Sequence, residues 1–231
     1  MINKEFFYDS AKEIGIELND EQIDKFDEYK SLLLEWNEKI NLTAILTEND
    51  FIIKHFVDSL TCLKYLSNKN TLLDIGTGAG FPGVPLKIMR DDINVTLLDS
   101  LNKRIIYLQD VIDKLKLNRI TAIHGRAEEF GKNKDYREKF DVVTARAVAN
   151  MRVLAEYSLP FVKVGGTFIA MKGSNVDEEL EEAREIIKKL GAEINSIEKV
   201  TLHTDEEILH HVVEIKKVRN TPIEFPRRIV K

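Results

Sequence analysis

The segment Leu72-Leu73-Asp74-Ile75-Gly76-Thr77-Gly78-Ala79-Gly80-Phe81-Pro82-Gly83 constrains this chain more than any other. A short apolar run, Thr71 to Ile75, ends in a loop with glycine at 76, 78, 80 and 83, and a helical stretch, Val84 to Met89, follows. Glycine lets a backbone turn tightly and lets a ligand come within contact distance of the main chain. A strand that passes through such a loop into a helix opens an α/β sheet, whose ligands bind beyond the carboxyl ends of the strands. A P-loop is excluded, because Gly83 is followed by Val84 and Pro85 rather than by Lys and Ser or Thr. Gly78-x-Gly80-x-x-Gly83 satisfies the dinucleotide spacing. The competing reading is a nucleoside-plus-amino-acid cofactor, S-adenosylmethionine. Asp74 favours it, since a carboxylate at the strand end repels a pyrophosphate but serves an ammonium group, directly or through water. Pro82 and Pro85 also remove backbone donors that a pyrophosphate would use.

The rest of the chain supplies a sheet for this loop. Apolar runs at 94–98, 120–123, 140–144 and 167–171 are separated by helical stretches at 101–117 and 151–162. Strands spaced by helices imply crossover connections and a mostly parallel, doubly wound α/β sheet. Val164-Gly165-Gly166 reads as a turn before the fifth strand. Two late strand-like runs, Ile194 to Leu202 and His211 to Val218, are expected to pair antiparallel at one side of the sheet. Residues 1–68 form an N-terminal helical region and 69–231 the sheet domain. In the first, helices are expected at Lys4 to Ile14, Asn19 to Ile40 and Asn49 to Leu66. Asn19 and Gln22 have capping-box spacing, and Ile23, Phe26, Leu33, Trp36 and Ile40 share one face. Ser67-Asn68-Lys69-Asn70 reads as the linker.

Three strand ends carry chemistry. Asp99 closes the second strand, where a carboxylate can accept the two ribose hydroxyls of an adenosine; a cap for the following helix is its ordinary alternative. Gly125-Arg126-Ala127-Glu128-Glu129 follows the third strand, where backbone amides and Glu128 can meet the base edge. An acidic first helical turn explains the same residues equally well. Arg146 ends the fourth strand and faces the ligand crevice, free to hold the cofactor or the incoming base, or to pair with Asp74, Asp99 or Glu128.

Composition narrows the class. With 43% hydrophobic and 32% charged residues the chain suits a globular fold with a core. No apolar run approaches the ~20 residues of a membrane span, and the first residues lack the pattern of a signal peptide. A single Cys62 excludes an internal disulfide and a cysteine-based zinc site. The expectations are a cytoplasmic monomer with no metal, no membrane association and no DNA partner. The net charge of −5 argues against a general nucleic-acid binder. The C-terminal stretch runs the other way, with Lys216, Lys217, Arg219, Arg227, Arg228 and Lys231 against Glu224 alone.

With these residues assembled, the sequence resembles the glucose-inhibited division protein B family (also called RsmG), which methylates N7 of a guanine in small-subunit rRNA. The resemblance rests on Trp36-Asn37-Glu38-Lys39-Ile40-Asn41-Leu42-Thr43, His55-Phe56-Val57-Asp58-Ser59-Leu60 and Asp74 to Pro85. Leu98 to Arg104, Ala127-Glu128, Arg146-Ala147 and Met171-Lys172-Gly173 complete the ordered set. It implies a Rossmann-like class I methyltransferase fold. It implies S-adenosylmethionine held at Gly76, Phe81, Ala127, Glu128 and Arg146, with Asp99 at the ribose and Asp74, Gly78 and Gly80 in the loop. It implies that the N-terminal helices help define the face toward small-subunit rRNA or the small subunit. Family members commonly continue past a Pro-Arg pair, here Pro226-Arg227, into a tail rich in Pro, Gly and Lys; Arg228 to Lys231 follow it in this sequence.

Guanine N7 carries no proton at neutral pH, so no general base is expected and no catalytic residue is assigned. Candidate substrate contacts are Arg146, Lys172, Asn41, His55, Arg227 and Arg228, with Phe81 as a stacking surface. A half-buried histidine is an equally ordinary reading of His55, and a helix C-cap of Asn41. A small-molecule methyltransferase shares the fold. A nicotinamide-dependent oxidoreductase would want a Tyr-x-x-x-Lys pair, but Tyr107 is followed four residues on by Val111 and Tyr157 by Phe161. A non-catalytic module would be expected to have lost the glycines or acids that are intact here.

Overall fold

A computed structural model describes residues 1–66, 69, 71–203 and 207–227. Helix α1 (Lys4–Glu13) is capped by the Asn3 side chain, which accepts from the Phe6 N–H. Helix α2 (Asp20–Ile40) opens on the Asn19/Gln22 capping box and stops at Asn41, whose backbone is left-handed at φ 51°. The single helix expected over 49–66 is broken into α3 (Glu48–Phe51), a π-helical turn (Ile52–Val57), α4 (Asp58–Leu60) and a 3-10 turn (Leu63–Leu66). Long-range and side-chain hydrogen bonds account for the departure: Arg146 takes the Lys54 carbonyl and the Ser59 hydroxyl takes that of His55. Such π turns concentrate at functional sites. Of the expected linker, Ser67, Asn68 and Asn70 lie outside the described residues.

The sheet alternates with helices as the pattern requires. It runs β1 (Thr71–Ile75), α5 (Gly83–Met89), β2 (Asn94–Asp99), α6 (Asn102–Lys114), β3 (Ile120–His124), α7 (Ala127–Phe130) and β4 (Phe140–Arg146). Then come α8 (Met151–Ser158), β5 (Val162–Lys172), α9 (Val176–Lys189), β6 (Ala192–His203) and β7 (Glu207–Lys217). The order is β3-β2-β1-β4-β5-β7-β6; β1 to β5 pair in parallel and β7 is antiparallel to both its neighbours. Strand β1 thus lies at the topological switch point, flanked by β2 on one side and β4 on the other.

Helix α6 ends three residues before the expected 117, with Lys116 left-handed at φ 52°. The helix expected to reach 162 ends at Ser158 and gives way to a 3-10 turn over Leu159–Phe161, where Pro160 cannot donate to a continuing α-helix. Val164 to Gly166 fall in a gap of the β4–β5 ladder, between Val162 opposite Phe140 and Thr167 opposite Val142.

Side chains alternate across the strands, and each face has its own core. Leu72, Val95, Leu97, Val142 and Ile169 join Phe7, Phe26, Tyr29, Phe51 and Phe56 of the N-terminal helices and Tyr107 of α6. Leu73, Ile75, Leu98, Val143 and Phe168 pack with α8 and α9. The N-terminal helices therefore act as one covering layer of the sheet. Among the described residues no helix is long and apolar enough to cross a membrane.

Candidate active site

A cleft of about 530 Å³ opens beyond the carboxyl ends of β1, β2 and β3. Gly76 forms its floor; Asp99 and Ser100 come from the end of β2, and Gly125 to Glu128 from the turn between β3 and α7. Leu98, Val153 and Tyr157 give it apolar walls. A Cβ on Gly76, itself left-handed at φ 62°, would lie 2.7 Å from the Val148 side chain. Of the residues expected at the cofactor, Gly76, Asp99, Ala127 and Glu128 line this cleft, while Asp74, Gly78, Gly80, Phe81 and Arg146 do not.

The loop residues outside the cleft hold it in shape. Asp74 is fully buried and accepts from the Thr77 hydroxyl at 2.6 Å, the Gly83 N–H at 3.0 Å and the Thr144 hydroxyl at 3.2 Å. Burial pushes its carboxyl up to about 6 in spite of those donors. Its carboxylate is engaged by the loop, by the start of α5 and by β4. A Cβ on Gly83 would meet Asp74 Oδ2 at 2.9 Å, so that glycine admits the brace. The Gly78 N–H donates to Asp99 Oδ2 at 2.9 Å, tying the loop to β2.

Asp99 is nearly as buried and also accepts from the Leu101 N–H at 2.9 Å and from Arg104 at 3.2 Å. Three of the roughly four acceptor positions of a carboxylate are thus in use. One ribose hydroxyl can be accepted directly; a second requires Arg104 to let go. Glu128 is loosely paired with exposed Arg126 at 3.3 Å.

A second cluster forms where the π turn meets the end of β4. The Arg146 guanidinium lies 4.8 Å from the Phe81 ring centre and donates to the Lys54 carbonyl at 3.0 Å and to Asp58 Oδ2 at 2.7 Å. The His55 ring stacks on Phe81 at 4.5 Å with 6° between planes, its Nδ1 is 3.3 Å from Arg146, and its Nε2 is 2.8 Å from the Thr43 hydroxyl. Burial, with the Arg146 charge second, pulls the imidazole down to about 3, so the ring is neutral. Arg146 can only donate, which leaves Nδ1 as the acceptor and places the proton on Nε2. Asp58 is also met by His210 Nδ1 at 2.5 Å. Burial opposes its charge, yet His210 and Arg146 keep its carboxyl below the usual range. Arg146 is thus paired with Asp58 rather than with Asp74, Asp99 or Glu128.

The remaining candidates are scattered. Lys172 is mostly buried, paired with Glu179 at 2.6 Å and donating to the Ala149 carbonyl at 2.9 Å beside the cleft. Asn41 is the exposed C-cap of α2. Arg227 pairs with buried Glu156 over the Phe225 ring, and Arg228 lies outside the described residues. The basic C-terminal edge is partly folded inward. Lys217 is fully buried on the Leu159 carbonyl and the Thr221 hydroxyl, and burial lowers its ammonium to about 8. Asp58 lay within a quoted motif, but its partner His210 sits in β7 and carried no sequence signal. Val153 and Tyr157 were hidden in an ordinary amphipathic helix.

The donor set fits S-adenosylmethionine. A glycine floor without a Cβ, a strand-end carboxylate with one free acceptor position, and apolar walls beside the Gly125–Glu128 turn match a nucleoside carrying a short amino-acid arm. Among the described residues no group of three or more His, Cys, Asp or Glu is arranged to hold a metal.

Comparison with known proteins agrees. The family model for GidB, described as rRNA small subunit methyltransferase G, matches residues 22–209. The chain is 48% identical to the ribosomal RNA small subunit methyltransferase G of Clostridium novyi, over 99% of this chain and 96% of that one. It is 50% identical to the protein of the same name from Alkaliphilus oremlandii, over 97% and 95% respectively. Among solved structures, similarity extends to M. jannaschii TYW2 in complex with AdoMet (16% identity, TM-score 0.53, 71% of this chain and 76% of that one). It also extends to precorrin-6y C5,15-methyltransferase from Geobacter metallireducens (14%, TM-score 0.54, 76% and 91%). At such identities these two structures speak for the fold alone.

Proposed function

Because the chain belongs to the rRNA small subunit methyltransferase G family, we propose that it transfers the methyl group of S-adenosylmethionine to N7 of a guanine in small-subunit rRNA. The observation that carries this reading is the cleft at the switch point, with Gly76, Asp99, Ala127 and Glu128 on its surface. S-adenosylmethionine supplies an electrophilic methyl on sulfonium, and guanine N7 offers a free lone pair. No proton has to leave the nucleophile, and the neutral His55 is not asked to act as a base.

The residues of this chain bind and align. Asp99 takes the ribose, the Gly125–Glu128 turn takes the adenine edge, and Leu98, Val153 and Tyr157 exclude water. Alignment of this kind contributes roughly 7–11 kcal/mol to such a displacement. Arg146 and His55 are assigned to the substrate side, an arginine being a suitable donor to guanine O6, while Phe81, buried and packed against both, supports them from within the core. The N-terminal region and the exposed Asn41 at the end of α2 lie toward the RNA in this reading, with Lys172 and Arg227 at the margin. The chain works as a cytoplasmic monomer on rRNA or the small subunit.

The test is methyl transfer from labelled S-adenosylmethionine to small subunits from cells lacking this protein, beside Asp99→Ala. Label at one guanine as 7-methylguanine, reduced at least tenfold in the variant, is the expected result. Label on small molecules but not on the subunit would move the acceptor to that class.

A further inference from the structure

The N-terminal layer reaches the cofactor loop through two buried phenols. Tyr29 of α2 and Tyr107 of α6 have no exposed surface, and both hydroxyls donate to one acceptor, the Ala79 carbonyl, at 2.5 and 3.2 Å. Ala79 stands between Gly78, whose N–H is bound by Asp99, and Gly80. A Cβ on Gly80 would lie 2.6 Å from the Tyr29 hydroxyl and 2.7 Å from Val84, and its φ is +101°. The third glycine of the motif therefore faces the core and makes room for a tyrosine, not for a ligand. The Tyr29 ring is itself locked, stacked on Phe56 at 5.8 Å and tilted against Phe81 at 5.5 Å.

We propose that Tyr29 and Tyr107 are positioning residues for the cofactor, a double latch that holds the Gly76–Gly80 loop in its binding shape from below. The loop is fastened at three points: to β2 through Gly78 and Asp99, to α5 through Asp74 and Gly83, and to α2 and α6 through Ala79. The first two fastenings lie within the sheet domain and one of the last pair comes from the N-terminal helices, so α2 sets the affinity of a site it does not touch. A phenol is the group that fits, because it spans the apolar layer with its ring and delivers a donor at its tip. A buried carbonyl that loses its partner costs more than an ordinary hydrogen bond contributes. Two donors on one oxygen make the latch redundant: removal of one leaves the other, and removal of both leaves a buried carbonyl unsatisfied.

The inference rests on S-adenosylmethionine binding and is independent of the acceptor. Calorimetric titration of the full chain with S-adenosylmethionine is compared for wild type, Tyr29→Phe, Tyr107→Phe and the double variant. Leu190→Ala, a core change at the C-terminal end of α9 on the other face of the sheet, serves as control, with the thermal midpoint of each measured alongside. Expected are a five- to tenfold rise in Kd for Tyr29→Phe, a smaller rise for Tyr107→Phe, and a double-variant rise larger than the product of the two. The control is expected to lose midpoint temperature with its Kd unchanged. If the double variant does not fold, Tyr29→Phe alone decides. Wild-type Kd in every folded Tyr variant, or Kd tracking midpoint temperature across all variants including Leu190→Ala, overturns the latch. Failure of the wild type to bind S-adenosylmethionine overturns the cofactor reading and the latch with it.

Discussion

His55 is held neutral between Phe81, Thr43 and Arg146, and its imidazole sits near 3 against an unperturbed value of 6.5. A base whose folded-state pKa is depressed contributes stability that is complete above 6.5 and drains away as pH falls toward 3, because the unfolded chain takes up the proton first. At about 1.4 kcal/mol per unit the loss is roughly 5 kcal/mol at most. Asp74, raised to about 6, works with the opposite sign: its burial cost is present above pH 6 and is relieved toward pH 4. The two overlap, so the difference between wild type and His55→Gln isolates the first. Urea unfolding from pH 7 to pH 4 is expected to show a shallower acid limb in the variant; parallel limbs would contradict the assignment. Asp58 makes a second prediction at this scale. It is the carboxylate partner of Arg146 in a largely buried pair, and removing one member of such a pair costs about 3–5 kcal/mol. Asp58→Ala should lower unfolding free energy by about that much, and Asp58→Ala in an Arg146→Met background by much less, as the double-mutant cycle reads. The motif around His55 and Asp58 was visible in the sequence. What it does was not, because both act through Arg146, about ninety residues on, and Asp58 also through His210 in β7.

At the scale of elements, the turn from β3 into α7 closes one side of the cleft. A Cβ on Gly125 would fall 2.2 Å from the Phe130 ring, so in Gly125→Ala either that ring or the turn that carries the Ala127 and Glu128 amides must shift. Cofactor Kd is expected to rise about tenfold, from an interaction loss near 1.4 kcal/mol, and an unchanged Kd by calorimetry would show that α7 does not bound the site. Five parallel strands, the capping box of α2 and the late antiparallel pair were legible because local periodicity and turn chemistry agreed with the fold. Helix α9 was not read: Val176, Leu180, Ala183, Ile186 and Ile187 mark its buried face, but the acidic run from Asp177 to Glu185 obscured them. The π turn at 52–57 was equally out of reach, since a carbonyl taken by a distant arginine leaves no trace in local propensity. The site followed the same rule. Glycines and strand-end acids announced a loop, yet sequence alone could not separate those that line the cleft, Gly76 and Asp99, from those that brace it, Asp74, Gly80 and Gly83.

Across the whole molecule, the N-terminal helices and the sheet bury one set of side chains between them, from Phe7 and Phe26 to Leu72 and Leu97. The only tryptophan, Trp36 on α2, donates to Asp110 on α6 at 2.8 Å and lies edge-on to Tyr107. Its fluorescence therefore reports contact between the two layers, while circular dichroism reports the whole fold. The two denaturation curves are expected to superimpose, as a single cooperative unit requires; loss of Trp36 emission at lower denaturant would mean that the helical layer detaches first. That cooperation matters for function, because the layer that fastens the cofactor loop also carries His55 and Asp58 to Arg146. The most direct measurement of the central claim is nucleoside mass spectrometry of small-subunit rRNA from cells without this chain, complemented with wild type or with Asp99→Ala. The account predicts that a 7-methylguanosine disappears with the chain, returns with wild type and stays below one tenth of that level with the variant. An unchanged 7-methylguanosine content in its absence would contradict it.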